Sequence, residues 1–472
     1  MDGLRMDTAR TLLNAFGDML AGFVFASVNV FGVDVQLIAL WLFAGMVFFT
    51  LKLRFINLRG FGIGINTLRG RYTAADAPGE MSSFQALSTA LSGTVGLGNI
   101  AGVAIAIAIG GPGAAFWMVV IGFFAMSLKF AEVVLAVKYR LIRPDGTVSG
   151  GPMWYLRLGL AERGMPRFGK VLATLYAAFA LVAFIQIIQV NQSYSQLRTV
   201  LEFNDTTSSA LAYGVGIALL AGLVLVGGAK SIASVTSRLT PIMCLIYVTG
   251  VVIVLGVNIT ELPNAVALIV GDAFSTNAAA GGLLGAFVAG MRRAAYSNEA
   301  GIGSASIAHA AVKTYHPASE GFVALLEPFI DTVVICSATA LVIVTTGAWQ
   351  TEHSDIAMTS VAFGTVAAWF PYVLACAVCL FAFSTILAVG YYGQQVCCYL
   401  FGSREWVRIT YLLLFCGLLP IGAIAKVSTV LNIIDSLFFL LSIPNLIGLY
   451  LMSNTVREEL GLFLKHIGKT GS

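Results

Sequence analysis

The sequence predicts an all-α membrane protein of eleven transmembrane helices: one extra N-terminal helix, then a five-plus-five inverted repeat with two discontinuous helices. Three observations carry this expectation. The 472 residues are 58% hydrophobic and 11% charged, with a mean hydropathy of +0.88, a surface that a soluble domain of this length could not carry without aggregating. Eleven apolar stretches approach the roughly 20 residues needed to cross about 30 Å of hydrocarbon. A glycine pair also recurs at matched places, as Gly96-Leu97-Gly98-Asn99 and as Gly301-Ile302-Gly303-Ser304. Such pairs at mid-membrane mark helices whose backbone is freed for ligands.

In chain order, residues 11–32 are less apolar, contain Asp18 and read as an interfacial amphipathic helix. The spans follow at 34–52, 84–111, 113–138, 171–201, 210–227, 239–257, 281–310, 322–347, 361–401, 407–424 and 428–453. Eleven crossings put the termini on opposite sides, which charge can test. With the N-terminus outside, 20 Lys and Arg face the cytoplasm: five in 52–71, seven in 138–170, then Lys230, Arg238, Lys313, Arg404, Arg408, Arg457, Lys465 and Lys469. Arg5, Arg10, Arg198 and Lys426 fall outside, and Lys129, Arg292 and Arg293 within spans. This asymmetry predicts a multi-pass protein of a cell inner membrane, with its N-terminus periplasmic and its C-terminus cytoplasmic.

The chain divides into an N-terminal extracytoplasmic segment 1–33, a peripheral first helix and cytoplasmic loop 34–83, a first repeat 84–257, a second repeat 281–453 and a cytoplasmic tail 454–472. Five spans per repeat is an odd number, so the repeats enter the membrane from opposite sides. The start of the chain lacks the pattern of a removable signal peptide, and the first span is expected to serve for targeting. The seven cysteines lie in or beside apolar stretches and read as small apolar filling rather than disulfides or a zinc site.

Within the second span, Ser92-Gly93-Thr94-Val95-Gly96-Leu97-Gly98-Asn99 puts three glycines and four polar side chains at mid-membrane. An unwound turn there frees amides for a carboxylate and carbonyls for a cation; the plainer reading is a small-residue packing face. The partner run Tyr296-Ser297-Asn298-Glu299-Ala300-Gly301-Ile302-Gly303-Ser304 carries a carboxylate that must be paired or solvated within the protein. Arg292 or Arg293 could pair with Glu299, whose role is open between a structural clamp and transport. Gln186 and Gln189 lie one turn apart and can serve both a carboxylate and an ammonium, with Gln189 the choice for substrate. Ser384 and Thr385 offer hard oxygens for an alkali cation, although such hydroxyls also bond back to their own helix.

Other buried charges read as structural pairs. Lys129 and Glu132 can neutralise each other at i, i+3, while Glu327 and Asp331 could neighbour Arg292 or Arg293. His309 and His316 are read as loop histidines without clustered ligands. No P-loop supports an ATP-driven pump and no nucleophile–base set supports an enzyme. Together these observations imply a secondary carrier, with proton coupling through Glu299 or Asp331 as the alternative to a metal cation, and a membrane enzyme or passive channel behind it. The partners expected are a solute bearing a carboxylate and an ammonium, an alkali cation and the lipid bilayer, with no nucleic acid, no cofactor beyond the co-transported ion, and a chain compatible with a monomer.

Several longer motifs carry a resemblance. Gly110-Gly111-Pro112-Gly113-Ala114-Ala115-Phe116-Trp117-Met118, then Lys129-Phe130-Ala131-Glu132, Gly150-Gly151-Pro152-Met153, Ser297 to Ser304 and Phe381-Ala382-Phe383-Ser384-Thr385-Ile386-Leu387 resemble the alanine or glycine:cation symporter family over about residues 34–455. The resemblance implies the five-plus-five fold of the amino acid-polyamine-organocation transporters, and Val95 to Asn99 is similar to the broken first core helix of neurotransmitter:sodium symporters. It further implies that the amides of Leu97 and Gly98 face a substrate carboxylate and that Gln189 lines the pocket. The substrate side then comprises Thr94, Leu97, Gly98, Gln189, Tyr296, Ser297, Asn298 and Val389. One sodium site is implied at the Thr94 carbonyl and Asn99. A second lies at the carbonyls of Ser92, Val95 and Phe381 with the hydroxyls of Ser384 and Thr385.

Departures from the family pattern bear on substrate size. The family's Gly-Trp-Ser-Tyr-Tyr-Gly-Glu is here Ala388-Val389-Gly390-Tyr391-Tyr392-Gly393-Gln394, its Arg-Gly-Leu-Phe is Arg293-Ala294-Ala295-Tyr296, and Leu97 replaces a threonine. These changes predict a roomier pocket, suited to a longer or amide-bearing amino acid as well as to alanine or glycine.

Overall fold

The computed structural model describes residues 14–74, 76–204, 206–275, 282–424 and 428–468. Arg5, Arg10, Lys426 and Lys469 of the charge count, and residue 281 at the expected start of the seventh span, lie outside them. Among the described residues, eight helices are long and apolar enough to cross a membrane, or nine if one bent pair is counted as a single span.

Residues 11–13 of the expected interfacial helix 11–32 lie outside the described residues, and of the rest 14–24 are helical. Beyond it Ser27–Val30 (β1) and Val33–Gln36 (β2) form an antiparallel hairpin. Alternating valines favour the strand, and Phe31 and Gly32 both take positive φ at the turn, as a type I′ hairpin requires. The hairpin takes the first residues of the expected span 34–52, so α1 (Leu37–Lys52) is left with 16.

The second crossing is the broken one: α2 (Ser83–Thr94) and α3 (Leu97–Gly110) meet at 43°. Ser82 opens α2 with a capping box, its hydroxyl accepting from Gln85 N while Gln85 Oε1 accepts from Ser82 N. Val95 and Gly96 are extended, so the helix stops at Thr94 and restarts two residues later. α4 (Gly113–Lys138) follows Pro112, whose fixed φ suits a helix start. α5 (Pro166–Ala183) and α6 (Ile187–Leu201) form one crossing interrupted at Phe184–Gln186. Next come α7 (Thr207–Leu225) and α8 (Gly228–Val257).

The expected span 281–310 is helical only through α9 (Gly282–Asn298), with a single turn, Ser306–His309, beyond the second glycine motif. Glu299, Gly301 and Gly303 all have positive φ. A Cβ on Gly301 would lie 2.5 Å from Leu42 Cδ2 and one on Gly303 2.6 Å from Pro152 Cγ, so backbone and packing both demand glycine there. α10 (Pro317–Thr345) contains a π-helical stretch, Phe329–Cys336. The expected span 361–401 divides into a short helix, Ile356–Gly364, and α11 (Pro371–Phe401). α12 (Glu405–Ile424), α13 (Ser428–Leu440), α14 (Ser442–Leu451) and α15 (Ser453–His466) complete the chain.

Most of α4 and α11 is buried, whereas α7 presents Leu219, Leu220 and Leu223 outward, the distribution expected of central and lipid-facing helices. All seven cysteines are free thiols, and Cys376 is exposed rather than packed. α2 packs on α8 and α11, α3 on α9, α9 on α4, and α6 on α11. The two breaks therefore lie in the middle of the bundle, with α11 against the first and α4 against the second.

Candidate functional site

At the first break, α11 brings two hydroxyls onto the last turn of α2. Thr385 Oγ1 donates to the carbonyls of Ser92 and Phe381, each at 3.0 Å, and Ser384 Oγ lies 3.4 Å from the first and 2.9 Å from the second. Thr385 Oγ1 would also be 3.1 Å from a Cβ on Gly96. Ser384 and Thr385 thus bond back to their own helix, as membrane hydroxyls commonly do, and reach across to α2 as well. The cluster consists of neutral oxygens with no carboxylate, a set suited to a hard monovalent cation rather than to a divalent one.

Beside this cluster is a cavity of about 60 Å³ whose lining includes Thr94, Gly96, Leu97, Gly98, Gln189, Tyr296, Thr385 and Val389. Six of the eight substrate-side residues expected from sequence meet there: Thr94, Leu97, Gly98, Gln189, Tyr296 and Val389. Gln186 also lines it, and the side-chain oxygens of Gln186 and Gln189 are both buried with no hydrogen-bond partner. Buried amide oxygens are normally satisfied, so two orphans on one cavity wall are acceptors held ready for a donor. The interruption at Phe184–Gln186 between α5 and α6 puts Gln186 at this wall.

Ser297 and Asn298 are turned away from the cavity. Ser297 Oγ donates to Asp331 Oδ2 at 2.7 Å, while Asn298 Oδ1 accepts from Ala300 N and its amide faces Thr332. Asn99 joins both breaks: Oδ1 accepts from Gly96 N at 2.8 Å, and Nδ2 donates to Ser297 Oγ at 3.1 Å and Asp331 Oδ1 at 2.7 Å. Asp331 sits in the π-helical stretch of α10, and π turns concentrate at functional sites.

The buried charges pair differently from the expectation. Lys129 bonds not to Glu132 but to Glu327, at 2.8 Å with both side chains fully buried. Glu132 instead accepts from Gly301 N and Asn445 Nδ2, each at 2.8 Å, and Asn445 also donates to the Gly301 carbonyl at 2.8 Å. The freed backbone of the second break is satisfied by these two side chains. Glu299 accepts from Ser304 Oγ rather than pairing with Arg292 or Arg293. Arg292 lies 5.5 Å over the Phe25 ring. His309, read as a loop residue, is fully buried, with Nδ1 2.7 Å from Glu320 and Nε2 3.7 Å from Glu327.

This geometry can be set beside known proteins. The model of the sodium:alanine symporter family matches residues 19–471. The chain belongs to the sodium:alanine symporter family. Among its relatives is the sodium/alanine symporter AgcS of Methanococcus maripaludis, 36% identical over 88% of this chain and 92% of the relative. A probable sodium/glutamine symporter, GlnT of Bacillus subtilis, is 34% identical over 87% and 84% of the two chains. A putative sodium/proton-dependent alanine carrier, YrbD of Bacillus subtilis, is 37% identical over 76% and 74%. The family is one of cation-coupled amino acid symporters, so this is a multi-pass membrane transporter.

Within this sodium:alanine symporter family member, the sequence reading missed Asp435. Its carboxylate lines the same cavity as Glu299 and lies 3.3 Å from Tyr296 OH. An acid inside the apolar run 428–453 was the signal available. Phe184, Ile434 and Phe438 complete the apolar wall.

Proposed function

We propose that this symporter carries a small neutral amino acid, of alanine or glycine size, into the cell together with sodium by alternating access. The supporting observation is the contact of the Ser384 and Thr385 hydroxyls with the Ser92 carbonyl, directly beside a cavity walled by two unpartnered glutamine oxygens. Sodium sits among the carbonyls of Ser92, Val95 and Phe381 and the hydroxyls of Ser384 and Thr385. The substrate carboxylate meets the amides of Leu97 and Gly98 at the N-terminus of α3, and its ammonium meets Gln186 and Gln189. Thr94 and Asn99 offer the lesser cation site, because Asn99 Oδ1 already holds Gly96 N. Ser297 and Asn298 act from behind, through Asp331 and Thr332.

The aromatic side chains around the cavity, Phe184, Tyr296 and Phe438, favour the smaller substrates. Val389 does remove an aromatic wall, but Phe184 and Phe438 line the same space.

In the proposed architecture, 34–83 form the peripheral first helix and loop. Repeats 84–257 and 281–453 are inverted with respect to each other, the N-terminus is outside and the tail 454–472 is cytoplasmic in an inner membrane. One sodium ion supplies adequate drive: about 2.3 kcal/mol per charge at 100 mV and about 1.4 kcal/mol for a tenfold gradient, together enough for several-hundred-fold accumulation. Uptake of alanine into proteoliposomes under an imposed sodium gradient tests the reading. Glu299, 8% exposed and lining the cavity, favours proton coupling as the second reading. Uptake driven by a proton gradient without sodium would replace the first reading with the second.

A further inference from the structure

A second cavity, of about 330 Å³, opens among segments that the charge asymmetry assigns to the cytoplasm. It is lined by Arg143, Lys230, Arg404 and Arg408 and by Glu80, Asp145 and Glu405, with Gln394 on the α11 wall. It neighbours the central cavity along α11. Val389 of the central cavity and Gln394 are five residues apart on α11, about 7.5 Å along a helix axis. Gly93 of the central cavity and Glu80 flank the two ends of α2. Between the cavities is the fully buried Tyr392, whose hydroxyl lies 3.5 Å from the Thr89 carbonyl and would be 3.2 Å from a Cβ on Gly93.

The site is built to receive an anion. Gln394 is only 3% exposed, yet its Nε2 has no hydrogen-bond partner. Arg408 Nε is likewise buried without a partner, although its guanidinium is paired at Nη2 with Glu405 at 3.0 Å. Both orphans are donors, and the N-terminus of the 30-residue α8 adds its amides at Gly228 and Ala229 beside Lys230. Glu405 is held by Arg408, whereas Glu80 Oε1 accepts from Val148 N at 2.6 Å and Asp145 Oδ1 from Thr147 N at 2.9 Å. Unpartnered donors and carboxylates lining one cavity match a zwitterion.

We propose that this vestibule is a second, weaker binding station for the transported amino acid on its way out, with the carboxylate held by Gln394, Arg408 and Lys230 and the ammonium by Glu80. Gln394 stands where the family motif has glutamate, so the amide gives this chain a carboxylate-holding vestibule where a glutamate would repel. The proposal rests on the transport reading above and deepens it.

The test uses the full-length protein in proteoliposomes of one orientation, with the variants Gln394→Glu and Gln394→Leu and with thermal unfolding as a control for folding. Gln394→Glu keeps the side-chain volume and guards against a packing defect in Gln394→Leu. The half-saturation for alanine presented on the cytoplasmic side, read from exchange, rises at least about fivefold in both variants, as expected on losing a charge-assisted hydrogen bond. The half-saturation from the other side stays within about twofold. Alaninamide, which lacks the carboxylate, exchanges equally in parent and variants if it is carried. Unchanged cytoplasmic half-saturation in both variants overturns the proposal, as does an equal shift on both sides. Competition by inorganic phosphate with no dependence on the amino acid would make the cavity a simple anion site and overturn it too. Failure of the parent to take up alanine under a sodium gradient is a separate outcome, because it sinks the transport reading itself.

Discussion

Replacing Thr385 by valine removes one oxygen from the proposed sodium site while keeping the β-branched shape. In the structure that hydroxyl lies 3.0 Å from both the Ser92 and the Phe381 carbonyls. The Phe381 carbonyl keeps the Ser384 hydroxyl at 2.9 Å, so the substitution leaves no carbonyl of α11 stranded and the fold should tolerate it. A hydrogen-bonding oxygen facing a charge is worth about 1.5–3 kcal/mol, and about 1.4 kcal/mol is tenfold in affinity. The sodium concentration for half-maximal alanine uptake should therefore rise about 10- to 150-fold, with the maximal rate at saturating sodium much less affected. Initial uptake in proteoliposomes over a sodium series, at fixed membrane potential, measures this. Ser384→Ala should act in the same direction. If Thr385→Val and Ser384→Ala both stay within about twofold of the parent, the cation is bound elsewhere and the assignment is wrong.

Three further outcomes are expected. Gln189→Leu removes one of the two unpartnered cavity oxygens and should weaken alanine binding about tenfold, while sodium binding measured without amino acid is unchanged; parent-like alanine affinity would clear Gln189 of a substrate role. Lys129→Met leaves Glu327 buried without its cation and should cost about 3–5 kcal/mol of stability, much of it recovered in Lys129→Met/Glu327→Gln, as read by thermal unfolding in detergent. Burial raises the Glu80 carboxyl above its ordinary value. Its stabilising contribution is present at acid pH and is lost as pH rises through the raised value. Glu80→Gln should flatten that part of the pH dependence of the melting temperature, and an unchanged profile would count against it.

What was legible in the sequence was whatever depends on neighbours along the chain. The limits of α4 agree with the expectation because Pro112 and Lys138 mark them locally, and the first break is written in Val95 and Gly96. Pro371 could have divided the stretch 361–401 but was passed over, because the apolar run continues through it. The hairpin Ser27–Gln36 was missed because its period of two was read within a longer helical window. The partners of the buried charges were not legible, since an i, i+3 neighbour can be seen in sequence whereas a partner 198 residues away cannot. The turning away of Ser297 and Asn298 depends on Asp331, which α10 brings in from a distant segment. Asp435 had a readable signal, a lone acid in an apolar span, and was overlooked.

The pairing of Lys129 with Glu327 has a consequence for how the chain enters the bilayer. With 198 residues between them and synthesis at about 5–20 residues per second, α4 waits about 10–40 s before its final partner exists. A lone lysine at the middle of a newly inserted helix costs about 2.5–3.5 kcal/mol. Glu132, one turn along the same helix, is placed to shield it during that interval before it holds Gly301 and Asn445 once those later segments arrive. The same carboxylate, a backbone clamp in the folded protein, is thereby expected to serve as a temporary counter-ion during insertion. Glu132→Gln should therefore lower the yield of inserted protein more than it lowers the stability of the molecules that are completed.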